Sequence, residues 1–252
     1  MRLNTVRHGE PTDKTPLLIA HGLFGSARNW GAVAGHLASD RLVAAVDMRN
    51  HAGSPWDDAH GYDDMAADLV ETIDAAGGPM DVVGHSMGGK AAMVLALTAP
   101  DRVRRLVVAD IAPVDYDHTQ MAMIDAMRAV DLSRVERRSD AAAQLTDVPD
   151  DGTRAFLLQS LDVEGRRWRL NLDVLAGEMP KIMGFPDLSG PFDGPALFLS
   201  GGDSDYVRGE HRDRIRALFS QARFASIPGV GHWLHAQKPR EFEAAVRTFL
   251  DA

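Results

Sequence analysis

Short apolar runs alternate with helical patterns along most of this chain, and this alternation limits the fold more than any other feature. The apolar runs have the near-continuous character of strands that are buried on both faces, and they occupy residues 17–20, 42–46, 81–83, 106–109, 196–199 and 224–227. Helical patterns lie between them, at residues 30–38, 65–76, 89–98, 209–219 and 239–250. The order predicts an α/β fold with a mostly parallel central sheet flanked by helices.

This alternation stops between residues 114 and 191, where helical patterns continue and strand signals almost disappear. Met121, Ile124 and Met127 fall on one face of a helix, for example. Prolines and glycines near residue 190 close the segment before the sheet resumes. We interpret residues 114–191 as a helical cap inserted into a core that is formed by residues 1–113 and 192–252.

Composition excludes several classes of function. The chain of 252 residues has a formal net charge of -9 and no cysteine. The negative charge argues against nucleic acid as a partner, and the absence of cysteine excludes disulfides and a thiol nucleophile. The first residues contain no apolar segment long enough for a signal peptide or a membrane span. We therefore expect a soluble cytoplasmic protein with no membrane partner, and the sequence does not indicate its oligomeric state.

A pentapeptide of the form G-x-S-x-G, Gly84-His85-Ser86-Met87-Gly88, lies between an apolar run and a helical run. In a strand–turn–helix context, this pattern places a nucleophilic serine on a sharp turn. The turn forces Ser86 into a strained backbone conformation, and the two glycines let strand and helix approach closely. The helix N-terminus directs free N–H groups toward the place where negative charge would develop.

A base for this serine occurs late in the chain. His232 follows the last apolar run and two glycines, which predicts a loop at a strand end. Such loops converge on one crevice in an open α/β sheet. An imidazole there can take the proton of Ser86 and return it to a leaving group.

The acid that orients this imidazole has more than one candidate. Asp110 ends the run at 106–109, whereas Asp203 and Asp205 lie in the glycine-containing loop after the run at 196–199. Each position follows a predicted strand, and each aspartate can instead cap a turn or a helix. The residues alone leave this choice open.

Backbone donors for a tetrahedral oxyanion are predicted in two places. Flanking glycines after the first apolar run free the backbone to present the N–H of Leu23, or alternatively that of Phe24. The second donor is the N–H of Met87, directly after the serine. We expect Phe24, Met121 and Trp233 to contact the substrate.

Four segments together resemble the α/β-hydrolase superfamily: residues 21–25 (HGLFG), 47–51 (DMRNH), 84–90 (GHSMGGK) and 231–239 (GHWLHAQKP). In detail they are most similar to a small bacterial esterase branch, the YbfF type. The resemblance implies an α/β-hydrolase fold and hydrolysis of a carboxylic ester or thioester through an acyl-enzyme on Ser86, with no cofactor or metal. The partner is then a small-molecule acyl substrate, and the apolar residues of the cap favour a short-to-medium acyl chain.

The same resemblance has implications for the identity of the triad acid and for the turn that contains Ala52. Ser204 stands where most relatives carry the triad acid, and in the esterase branch the acid comes from the earlier strand. This implies Asp110 as the acid and Ser204 as a supporting hydrogen-bond partner. Many relatives have glycine where Ala52 stands, and we expect Gly53 to supply the flexibility of that turn.

Other interpretations fit parts of the sequence. A carbon–carbon bond hydrolase or a proton-abstracting lyase can use the same triad, and a catalytically silent binding module can share the fold. Residues 84–91 also nearly match a phosphate-binding loop, but Ala91 replaces the Ser or Thr that holds magnesium. We expect Lys90 on the surface of its helix and His60 on the protein surface.

Overall fold

The computed structural model describes residues 1–148 and 150–252. Along these residues the strands are β1 (Thr5–His8), β2 (Leu17–Ala20), β3 (Val43–Val46), β4 (Met80–His85), β5 (Val103–Ala109), β6 (Leu161–Asp162), β7 (Arg167–Trp168), β8 (Phe192–Gly201) and β9 (Phe219–Ile227). The central sheet has the order β1-β3-β2-β4-β5-β8-β9, while β6 and β7 pair separately. All neighbours in the central sheet are parallel except β1 and β3. The predicted mostly parallel sheet is confirmed.

The helices that accompany these strands are α1 (Gly31–Leu37), α2 (Tyr62–Ala76), α3 (Met87–Thr98), α4 (Met121–Arg128), α5 (Arg138–Ala142), α6 (Asp151–Leu157), α7 (Leu172–Gly177), α8 (Met179–Met183), α9 (Arg212–Leu218), α10 (Leu234–Gln237) and α11 (Pro239–Leu250). Within the described residues, none of them combines the length and apolar character that crossing a bilayer requires.

Alternate residues of each buried strand face opposite sides of the sheet, and each side has its own core. Leu18 of β2 packs on the side that carries α2, α3 and the segment after β5. Ile19, the next residue, packs on the other side with Trp30 and with Phe242 of α11. Because both faces are covered, the strands are apolar along their whole length, which is why they were recognisable in the sequence.

Strand β1 was not predicted, for a physical reason. It lies at the sheet edge, antiparallel to β3, with Thr5 opposite Val46. Val6 and Arg7 are exposed, so the strand has neither the continuous apolar character of a buried strand nor a clear alternation.

The segment between β5 and β8 contains the short helices α4 to α8, as the helical patterns predicted. It also contains the β6–β7 hairpin, in which Leu161 pairs with Trp168. The hairpin was missed because two residues per strand are too few to show a period. The Trp168 indole donates from Nε1 to the carbonyl of Met127 at 2.9 Å, which joins the hairpin to α4.

Backbone hydrogen bonds connect this segment to the loop after β3. The N–H of Ala52 donates to the carbonyl of Arg169, and the N–H of Asn171 donates to the carbonyl of Asn50 at 3.0 Å. Ala52 itself adopts the left-handed region, with φ of 46°. The expectation that Gly53 would supply the flexibility of this turn is therefore wrong, because the positive φ falls on Ala52.

Candidate active site

Ser86 lies on the turn between β4 and α3, with φ of 52° and ψ of -120°. This conformation is unfavourable for a residue with a Cβ, and it projects the hydroxyl above the carboxyl end of the sheet. Close backbone contacts hold it there. A Cβ on Gly84 would lie 2.3 Å from the carbonyl oxygen of Gly88, and one on Gly88 would lie 2.4 Å from that of Ala20. Both glycines are therefore needed by the packing of the turn.

The imidazole of His232 lies between two oxygen atoms that come from distant parts of the chain. Its Nε2 is 2.9 Å from Oγ of Ser86, and its Nδ1 is 2.8 Å from Oδ2 of Asp110. Because a carboxylate only accepts hydrogen bonds, Nδ1 carries the proton and the lone pair of Nε2 faces the serine hydroxyl. The serine can thus transfer its proton to the ring.

The carboxylate of Asp110 is buried and is fixed by further donors. The backbone N–H of Gly201 donates to Oδ1 at 2.9 Å, and the Ser204 hydroxyl donates to Oδ2 at 2.5 Å. Asp203 and Asp205, the alternative acids, are exposed in the same loop. The structure brings Ser204 and Asp110 together beside His232.

Two aromatic rings flank the His232 imidazole, and neither contact was predicted from the sequence. The ring of Tyr206 stacks on it with centroids 4.0 Å apart. His85 lies on β4 with its ring centroid 4.7 Å away, and its Nε2 donates to the His232 carbonyl at 2.9 Å. Burial lowers the pKa of His85 well below its usual range, so this ring is neutral and holds the loop as a hydrogen-bond donor.

Two other neutral histidines accept backbone hydrogen bonds in and beside the loop after β2. Nε2 of His21 accepts from the N–H of Met48 at 2.9 Å. Nε2 of His51 accepts from the N–H of Phe24 at 3.2 Å, while its Nδ1 donates to the carbonyl of Arg49 at 2.8 Å. Burial lowers the pKa of both His21 and His51, which keeps one nitrogen of each ring free to accept.

These contacts distinguish the two candidate donors of the loop. The N–H of Phe24 is occupied by His51, and Phe24 adopts a positive φ of 63°. The N–H of Leu23 has no hydrogen-bond partner among residues 1–148 and 150–252. The N–H of Met87 is the first of α3 and has no acceptor within the helix. Leu23 and Met87, which line the same cavity as Ser86, therefore retain free donors.

A cavity of about 600 Å³ opens above Ser86 and His232. Its walls come from the loop after β2, from α3 and from the segment between β5 and β8. Phe24 and Trp233 line it, whereas Met123 lines it in place of Met121. Met121 instead lines a neighbouring cavity of about 540 Å³, together with Met179.

Comparison with known proteins agrees with this geometry. A family model described as alpha/beta hydrolase fold matches residues 15–239. The chain belongs to the α/β-hydrolase family. Its similarity to the YbfF type, noted from motifs, extends over nearly the whole chain. It is 43% identical over 243 residues to esterase YbfF of Escherichia coli strain K12, covering 95% of this chain and 94% of that protein.

Two further comparisons place this α/β-hydrolase among ester-cleaving relatives. It is 45% identical over 246 residues to mouse sn-1-specific diacylglycerol lipase ABHD11, covering 93% of this chain and 80% of that protein. A solved structure described as a marine microorganism esterase superposes with a TM-score of 0.93 at 38% identity, covering 98% of this chain and 99% of that one. This α/β-hydrolase is a carboxylic ester hydrolase.

Two side chains of this α/β-hydrolase lie where the sequence did not lead us to expect them. His60 is fully buried, and Lys90 is only 1% exposed. Both expectations of a surface position were wrong. For Lys90 the signal was present, because α3 is apolar on all sides and a helix of that kind is buried.

Proposed function

We propose that this enzyme hydrolyses a carboxylic ester or thioester through an acyl-enzyme on Ser86, with His232 and Asp110 completing a catalytic triad. The observation that carries the proposal is the position of the His232 ring, 2.9 Å from Ser86 Oγ and 2.8 Å from Asp110 Oδ2. These are the contacts that general-base activation of a serine requires.

In the proposed reaction, Nε2 of His232 accepts the proton of Ser86 as Oγ attacks the acyl carbonyl. The tetrahedral oxyanion receives hydrogen bonds from the N–H groups of Leu23 and Met87. The intermediate collapses, the bond to the leaving oxygen or sulfur breaks, and His232 protonates that atom. Water then loses a proton to His232 and attacks the acyl carbon. The bond from that carbon to Oγ breaks, His232 returns the proton to Oγ, and the acid leaves free Ser86. Asp110 stabilises the imidazolium at each stage, and no cofactor or metal takes part.

We further propose that residues 114–191 act as a cap that selects the acyl group. The support is that the cavity wall opposite Ser86 comes from this segment, including Met123, Phe156 and Ile182. The rings of Phe156 and Trp233 lie 5.6 Å apart across the junction of cap and core. A cavity of this volume and composition suits a short-to-medium acyl chain.

The test combines a covalent probe with rapid kinetics. A fluorophosphonate should label Ser86 in the wild type and should label nothing in Ser86→Ala. With p-nitrophenyl butyrate, the wild type should release a stoichiometric burst of p-nitrophenol if deacylation is slower than acylation. Ser86→Ala should lose roughly a thousandfold or more of turnover. Near-full hydrolysis by Ser86→Ala would show that another group is the nucleophile.

The same experiment separates the alternatives. A proton-abstracting lyase or a carbon–carbon bond hydrolase would turn over acyl esters poorly, and no acyl adduct on Ser86 would be found by mass spectrometry after acid quenching. A silent binding module would resist labelling by the probe, because its serine would lack an activating base.

A further inference from the structure

The proposed triad leaves one buried charge of the cavity without a role. Among the described residues, the charged side chains that line the cavity are Arg28, Lys90 and Asp150. Arg28 and Asp150 are exposed at the surface, whereas Lys90 is buried. An ammonium group in such a place is costly unless something compensates its charge, so its surroundings are informative.

The ammonium group of Lys90 has only neutral partners. Nζ donates to the carbonyl of Met183 at 2.8 Å and to that of Gly184 at 2.6 Å. The ring centroid of Tyr116 lies 4.7 Å from it and that of Tyr62 lies 5.7 Å away. Within residues 1–148 and 150–252, no carboxylate lies within ion-pair distance of Nζ. An ammonium has three N–H donors, so one donor is left over.

The hydroxyl groups beside Lys90 are already committed. Tyr62 donates to the carbonyl of Ile182 at 2.6 Å, and Tyr116 donates to the carbonyl of Tyr206 at 2.7 Å. Neither can turn toward the cavity without breaking a buried hydrogen bond. The Lys90 ammonium, in contrast, keeps one N–H that can donate to an acceptor of a bound ligand.

Lys90 is also tied to the proposed nucleophile through the backbone. It is four residues after Ser86, and its N–H donates to the Ser86 carbonyl at 3.0 Å, which closes the first turn of α3. Both residues line the same cavity of about 600 Å³. An acyl group attached to Ser86 can therefore extend toward Lys90 within this cavity.

We propose that Lys90 is a specificity-determining residue that binds a carboxylate at the far end of the acyl chain, so that the preferred substrates are half-esters of short dicarboxylic acids such as glutaric or adipic acid. The carboxylate replaces the missing anionic partner of the buried ammonium. In return, the ammonium offsets the cost of moving the carboxylate out of water. This inference rests on the proposed acylation of Ser86.

Two isosteric substrates test the inference. Monobutyl adipate carries a carboxylate where butyl adipamate carries a neutral carboxamide, and both release butanol, which gas chromatography measures. Wild-type kcat/KM should favour the carboxylate by roughly 10-fold to 100-fold, as expected for a charged hydrogen bond. In Lys90→Met the two substrates should have nearly equal kcat/KM. Lys181→Met should keep the carboxylate preference, because Lys181 is an exposed lysine of α8, the helix that ends at Met183.

A pH series on the wild type gives a second readout that needs no variant. Burial lowers the pKa of Lys90 to about 7, and the charge of Asp115 acts in the opposite direction. The other titratable groups near it are Tyr62, Tyr116 and His118. The carboxylate preference should therefore be largest below this pKa and should shrink above it, while effects of pH on the triad cancel in the ratio.

Each outcome supports or overturns the inference. Equal kcat/KM for the two esters in the wild type would mean that Lys90 only fastens the cap through the carbonyls of Met183 and Gly184. A preference that survives in Lys90→Met would place the carboxylate site elsewhere. If Lys90→Met does not fold, the substrate ratio and its pH dependence in the wild type still decide. Failure of the triad proposal is distinguishable, because both esters and p-nitrophenyl butyrate would then continue to turn over in Ser86→Ala.

Discussion

The N–H of Phe24 donates to Nε2 of His51 across 3.2 Å, although the two residues lie in loops that follow different strands. This hydrogen bond holds Phe24 in its positive-φ conformation and leaves the preceding N–H, that of Leu23, free. The proposed oxyanion site thus depends on a buried histidine that lies outside the triad.

Removing the acceptor on His51 should impair catalysis more than substrate binding. In His51→Phe the N–H of Phe24 loses its buried partner, and we expect kcat to fall roughly 10-fold to 100-fold because a misplaced oxyanion donor loses much of its effect. His51→Gln, which keeps an acceptor oxygen, should retain more activity. Steady-state kinetics on p-nitrophenyl butyrate measures both variants, and a change confined to KM would contradict the role assigned to this contact.

Single substitutions should show whether Asp110, rather than Asp203 or Asp205, is the acid that orients His232. Asp110→Asn should lower kcat by about 10³-fold to 10⁴-fold, because the imidazole loses the acceptor that fixes its tautomer. Ser204→Ala should cost roughly 10-fold, since one hydrogen bond to a charged group is lost. Asp203→Asn and Asp205→Asn serve as controls and should remain close to the wild-type rate. Loss of activity in either control would reopen the assignment of the acid.

The strained turn predicts a variant that is more stable and inactive. Ser86→Gly removes the Cβ from a residue with φ of 52°. Strain of this kind costs about 1–3 kcal/mol, part of which is offset by the greater freedom of glycine in the unfolded chain. We expect the melting temperature of Ser86→Gly to exceed that of Ser86→Ala by about 2–4 °C. Calorimetry measures the melting temperatures of both variants. A lower melting temperature for Ser86→Gly than for Ser86→Ala would show that the turn is not strained.

Lys90 should give the stability of the enzyme a distinctive dependence on pH. Its pKa is lowered by burial to about 7 in the folded state, against about 10.4 in the unfolded chain. Between these values the unfolded chain binds more protons, so this residue makes the free energy of unfolding rise with pH, by at most about 1.4 kcal/mol per pH unit.

Urea titrations of the wild type and Lys90→Met at several pH values between these limits measure this effect. The wild type should gain stability relative to the variant as pH rises, whatever constant offset the lost hydrogen bonds produce. An unchanged difference between the two proteins would mean that Lys90 keeps its ordinary pKa in the fold.

Much of the sheet and of the proposed triad could be predicted because the informative residues lie beside buried strands. Ser86 and Asp110 directly follow β4 and β5, whose last residues are paired neighbours, and a parallel sheet brings such positions to one edge. The lining residue of α4 was harder to predict. Met121 and Met123 differ by two positions, which is about 200° around a helix, so they lie on nearly opposite faces of α4. The apolar pattern identified the face of Ile124 and Met127, which packs into the core, and did not show that the other face lines the cavity.

The supporting residues could not be predicted, since their partners are distant in sequence. His51 supports the loop after β2, and Tyr206 stacks on His232. Neither has a local pattern that indicates these contacts. The charge of Lys90 suggested a position on the protein surface, whereas the apolar residues on all sides of its helix indicated that the helix is buried. The pattern of the whole helix was the better guide.

The backbone hydrogen bonds from Ala52 and Asn171 to Arg169 and Asn50 have a practical consequence for engineering. Leu170, between Arg169 and Asn171, forms an isolated β-bridge with His51. His51 in turn accepts the N–H of Phe24 in the loop that carries the proposed oxyanion donor. A chimaera that carries a foreign segment in place of the proposed cap should therefore keep residues 169–171, because their loss would displace the proposed oxyanion donor whatever the new segment recognises.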